Sequence, residues 1–93
     1  MEEIILIKLN KELKETKPVY YQDLIMNGTV NNVLGGYSKE IAGQAEVIES
    51  ELRKKHQKPN TDEFVVLAQY ENMINNIKME LILDMIRKKA KNI

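Results

Sequence analysis

Apolar residues recur at steps of three and four along most of the chain, and only four glycines and two prolines interrupt them. In the first segment Ile5, Leu6, Leu9 and Leu13 share one side while Lys8, Lys11, Glu12, Lys14 and Glu15 take the other, which predicts an amphipathic helix. A strand over Ile4 to Leu9 is the rival reading, but it would need a partner strand. Only Val19-Tyr20-Tyr21 and Phe64-Val65-Val66-Leu67 could supply one, and the latter opens a helical pattern. Pro18, a favoured first-turn residue, begins a second segment of about two turns from Val19 to Met26, stopped at Asn27-Gly28.

The third segment carries Val30, Val33, Leu34, Tyr37, Ile41, Ala45, Ile48 and Leu52 on one face, and it predicts a long helix from about Thr29, a candidate N-cap, to His56. Gly35-Gly36 falls inside it and is expected to kink it or delay its start to Tyr37, at about 1 kcal/mol per glycine relative to alanine. Gly43, between Ala42 and Ala45, is expected to let a neighbouring helix approach closely. After Pro59, the run Asn60-Thr61-Asp62-Glu63 marks a helix start, with Asn60 or Thr61 as cap and acids in the first turn.

From Thr61 to about Lys91 one stripe holds Val66, Leu67, Tyr70, Met73, Ile74, Ile77, Leu81 and Met85. Beyond Lys78 a second stripe of Met79, Ile82, Leu83 and Ile86 widens the apolar surface. The expected fold class is therefore all-α: one domain over residues 1–93, an antiparallel hairpin of two long helices with two short N-terminal helices. The short connection from His56 to Asn60 demands the antiparallel arrangement.

Charge follows the same plan. Glu40, Glu46, Glu49 and Glu51 precede Arg53-Lys54-Lys55, and Asp62, Glu63, Glu71, Glu80 and Asp84 precede Arg87-Lys88-Lys89. Each long helix thus complements its own dipole, and antiparallel packing sets the basic end of one against the acidic end of the other. Overall 14 basic side chains balance 14 acidic ones, which argues against a protein devoted to binding phosphate.

Composition narrows the function classes further. With no cysteine there is no disulfide, thiolate metal site or cysteine nucleophile, and one histidine, His56, cannot build a two-histidine metal site. His56 has lysines around it and is expected at the surface. The acid at Glu2-Glu3 and the short apolar run behind it argue against an export signal, and no run of 18 apolar residues exists to span a bilayer, so a cytoplasmic protein is expected. Twelve lysines against two arginines, with many Ile and Asn, hint at an AT-rich coding sequence of bacterial or phage type.

No catalytic, metal-binding or cofactor motif emerges, and Gly35-Gly36 lacks the strand, lysine and spacing of a phosphate loop. The feature that separates this chain from an inert bundle is the second stripe. Two long and two short helices are expected to leave it partly uncovered, so Met79, Ile82, Leu83 and Ile86 are the expected interface to a second copy or another protein, with Tyr20 and Tyr21 as a secondary patch. The expected function is a non-enzymatic protein-interaction module, such as an adaptor, inhibitor or immunity-type protein. The alternative is a dimeric nucleic-acid-binding factor using the basic clusters Arg53 to Lys58 and Arg87 to Lys91, which an antiparallel hairpin holds about 30 Å or more apart.

Overall fold

The computed structural model describes residues 1–93 as four helices and no strand: α1 (Glu2–Thr16), α2 (Pro18–Met26), α3 (Val30–Lys55) and α4 (Phe64–Asn92). The all-α hairpin with two short leading helices is the architecture expected. Local chemistry explains most boundaries. Lys17, in a non-helical conformation, ends α1, and Pro18 occupies the first turn of α2 with its fixed φ. At the end of α2, Gly28 adopts φ 69°, while its N–H donates to Ile25 O and the Thr29 N–H donates to Leu24 O. This paired closure is the Schellman motif, and it needs a residue without a Cβ at the left-handed position.

Two boundaries depart from expectation. α4 begins at Phe64 rather than Thr61, because the Thr61 hydroxyl accepts the Glu63 N–H at 3.2 Å in a local turn that holds the acids ahead of the helix. Gly35-Gly36, expected to kink or delay α3, lies within a continuous helix from Val30 to Lys55. Packing at Leu34, Ser38 and Ile41, all buried, outweighs the poor propensity of the glycines between them. A Cβ at Gly43 would meet nothing within 4 Å, so that position is not the close helix approach its small size suggests.

Ion pairs fix the directions of the helices. Glu40 pairs with Lys89, Glu49 with Lys78 and Arg53 with Glu71, so α3 and α4 run antiparallel. The Lys17 ammonium donates to Ile93 O at 2.6 Å, while Met1 and Glu2 lie beside Lys78 and Ala45, so α1 runs parallel to α4. It packs against both long helices, and α2 packs against α1 and α3 without reaching α4. At this register the α1 residues Ile5, Leu9 and Leu13 run alongside Ile82, Ile86 and Ala90, and Leu34, Ile41 and Ala45 close these layers from α3, with Leu24 of α2 at the edge. Each fully buried Leu or Ile contributes about 1.5 to 3 kcal/mol relative to exposure.

The bundle measures 54 × 19 × 18 Å, and α1 ends level with Lys78. Beyond that point α3 and α4 continue as a bare pair to the loop at residues 56–63. The molecule is thus a covered end with all four helices and a two-helix arm.

Candidate interaction surfaces

The second stripe of α4 is not free. Ile82 is 0% exposed and Ile86 2%, both inside the core; Met79 is half-buried against that core and Leu83 is half-buried. α1 supplies the cover, because its apolar residues repeat every four positions and match the spacing of Ile82, Ile86 and Ala90. The expected interface at Met79, Ile82, Leu83 and Ile86 is therefore corrected at Ile82 and Ile86, which are core residues under α1 and α3, while Met79 and Leu83 keep part of their surface. Tyr20 is exposed, whereas Tyr21 is half-buried and its hydroxyl donates to Asn10 Oδ1 at 3.0 Å. Since α2 never touches α4, the two sets of residues do not form one site.

What the tyrosines do mark is α2. Apart from Asp23, this nine-residue helix carries no charge, and it is apolar around most of its circumference. Leu24 turns into the core, while Val19 is 75% exposed, Met26 78% and Ile25 half-exposed. Pro18, Tyr21, Gln22, Ile25 and Met26 form, with Lys14 of α1, a shallow depression of about 370 Å³. Ile7, also exposed, stands two turns from Lys14 on the same face of α1 and extends the apolar surface. Val19, Ile25 and Met26 were legible as helical but not as exposed; the signal for that was a short helix with no polar side to give to water.

The arm offers a second surface. Tyr70 and Ile74 are buried between the long helices, but Phe64 is 82% exposed and Val65 and Met73 are also exposed. The side of the arm that continues the α1 layer is polar, lined by Glu49, Arg53, Glu71, Asn72 and Asn75.

Comparison with known protein families, with curated proteins and with solved structures finds no match. The reading of this chain therefore rests on its own geometry.

Polar chemistry is concentrated where α3 meets α4 in the arm. Arg53 donates from Nη1 and Nη2 to the two carboxylate oxygens of Glu71 at 3.1 and 2.8 Å, stands 3.6 Å from Glu49, and lies 6.0 Å from the centre of the Tyr70 ring. The Tyr70 hydroxyl donates to His56 O at 2.6 Å. Lys78, largely buried, donates to Glu49 at 2.7 Å. Hydrogen bonding and the charge of Lys78 hold the Glu49 carboxyl below its ordinary value of 4.5. Hydrogen bonding from Arg53 lowers Glu71 in the same direction, and Glu71 in turn raises the Arg53 guanidinium. All of these groups are satisfied by one another, and no buried side-chain nitrogen or oxygen lacks a partner. The network is a fastening between the two long helices.

His56, expected at the surface, is half-buried, and its backbone carbonyl rather than its ring makes the contact with Tyr70. No three His, Asp or Glu side chains converge. The basic clusters sit at opposite ends of the long axis, and Arg53, Lys88 and Lys89 are already bridged to Glu71, Asp84 and Glu40. No helix is long and apolar enough to cross a membrane.

Proposed function

We propose that this chain is a non-enzymatic protein-interaction module, an adaptor or inhibitor that acts by occupying a surface of another protein. The observation that carries the reading is α2. A short helix that shows Val19, Ile25 and Met26 to water while burying Leu24 on its other side carries more apolar surface than folding uses. Its position supports the same use. α2 is anchored to α1 and α3 and closed by the Gly28 turn, so it is presented as a preformed helix, and binding costs little ordering entropy. The depression beside it, with Lys14 at the rim and Tyr21 in its wall, suits an apolar side chain of the partner flanked by a carboxylate.

The test is affinity capture with the folded chain from a lysate of its native host, compared with a Val19→Glu/Met26→Glu variant. The expected result is a discrete protein retained by the native chain and lost by the variant, with helical circular dichroism unchanged. Identical retention by both chains, or retention of nothing, overturns the reading.

A further inference from the structure

Asn27-Gly28 closes α2, and it is also the one place in the chain where a glycine follows an asparagine. Of the other asparagines, Asn60 alone lies outside the helices, and the β-branched Thr61 follows it. Asn27 and Gly28 are both exposed, and a Cβ added at Gly28 would meet nothing within 4 Å. The Gly28 backbone nitrogen is therefore the least shielded main-chain nucleophile beside any asparagine side chain of this protein.

We propose that Asn27 is a site of spontaneous covalent modification, converted through a cyclic imide with Gly28 to aspartate and isoaspartate, and that the conversion unlocks the end of α2. The Gly28 nitrogen attacks Asn27 Cγ. The N–Cγ bond forms, the Cγ–Nδ2 bond breaks, and Nδ2 leaves as ammonia with the proton that the Gly28 nitrogen gives up. Water then adds to one of the two imide carbonyls. Opening of the new N–Cγ bond leaves aspartate, whereas opening of the original peptide C–N bond routes the main chain through Cγ as isoaspartate. Water is the only co-reactant.

The fold sets the rate. In the closed turn Asn27 has ψ −5°, which holds its Cγ away from the Gly28 nitrogen, and the Gly28 N–H is donated to Ile25 O. Cyclisation hence passes through opening of the turn. That opening is local, because it breaks the bonds from Gly28 to Ile25 O and from Thr29 to Leu24 O while Leu24 is the one α2 residue held in the core.

The products do not fit the turn they leave behind. Isoaspartate adds a methylene to the main chain, so the Gly28 and Thr29 N–H groups lose register with their acceptors. Either product adds a carboxylate, ionised at neutral pH, at the C-terminus of α2, where the helix dipole disfavours it and Asp23 stands one turn away. Modification thus frays α2 from the end that joins it to α3. This chemistry does not rest on α2 having a partner.

Peptide mapping by mass spectrometry on the full chain, aged in mildly alkaline buffer, tests the inference. The expected result is a gain of about 1 Da at Asn27, about 10-fold or more faster than at Asn60, in a peptide that an isoaspartate-specific methyltransferase labels. Asn27→Gln removes the gain. In urea, where neither chain has the turn, Gly28→Ala slows conversion by about 10-fold, which separates the chemistry from the fold. In the aged native chain the Thr29 amide exchanges about 10-fold or more faster than in fresh protein, while amides near Ile82 are unchanged. A folded chain that gains no mass at Asn27 while the urea-unfolded chain converts fully overturns the inference. So does equal conversion at Asn60, equal conversion of Gly28→Ala in urea, or unchanged exchange at Thr29 after conversion.

Discussion

The covered end and the arm are built from the same two long helices, yet they are held by different forces. At the covered end three layers of Leu, Ile and Ala from α1, α3 and α4 are almost fully dry. In the arm two residues of α4, Tyr70 and Ile74, are buried, and ion pairs of Arg53 with Glu71 and of Lys78 with Glu49 tie the helices together. Ion pairs screened by solvent contribute far less than a buried Leu. A third helix therefore decides where stability resides.

The largest test of this contrast is at Ile82 and Ile86. Alanine at either is expected to cost about 2 to 5 kcal/mol, and at both to unfold the chain in thermal circular dichroism. Retained helicity with only weakened association would return these residues to the surface and undo the distinction.

Ile74→Ala, in the arm, is expected to cost about 2 kcal/mol, the low end of the same range, because one helix rather than two closes around it. Hydrogen exchange sharpens the point: arm amides of α4 should exchange through local opening, while those near Ile82 wait for global unfolding. Uniform protection along α4 would contradict the contrast.

Gly36→Ala, at an exposed covered-end position with no atom within 4 Å of a new Cβ, is expected to raise stability by about 0.5 to 1 kcal/mol in urea titration. A loss would mean that the glycine is needed there.

The smallest effect is electrostatic. The folded-state pKa of Glu49 lies below 4.5, so folding favours its ionised form; the stabilisation is intact above 4.5 and is lost as pH falls through that value toward the lowered one. Glu49→Gln should remove this part of the acid sensitivity and cost about 0.5 kcal/mol at pH 7, a figure reduced for the exposure of the pair. An unchanged pH profile in the variant would dissociate the pair from stability.

Much of the fold was legible because it is local. Periodicity, Pro18, Asn27-Gly28 and the charge order of each long helix specify four helices and the antiparallel hairpin. Where along α4 each stripe is core was not legible: the first is buried at Tyr70 and Ile74, and the second, expected to be open, is buried at Ile82 and Ile86. Met73 and Leu81, on the first stripe, are exposed. The difference lies in α1, whose length and direction decide how far cover extends along α4. Nothing within α4 records that, because it is a pairing between residues far apart in the chain. Tyr20 and Tyr21 pointed to α2 as a surface, but the exposed Val19 and Met26 beside them were read simply as helix.

The contact between Lys17 and Ile93 joins residues 76 positions apart, and the layered core repeats that separation. Closing so long a loop is entropically slow compared with zipping the neighbouring α3 and α4 across their short turn. The hairpin is thus expected to assemble early, and the docking of α1 to complete the fold. During that interval Ile82 and Ile86 are bare, and an encounter between two half-made chains would have a broader greasy target than the finished protein offers.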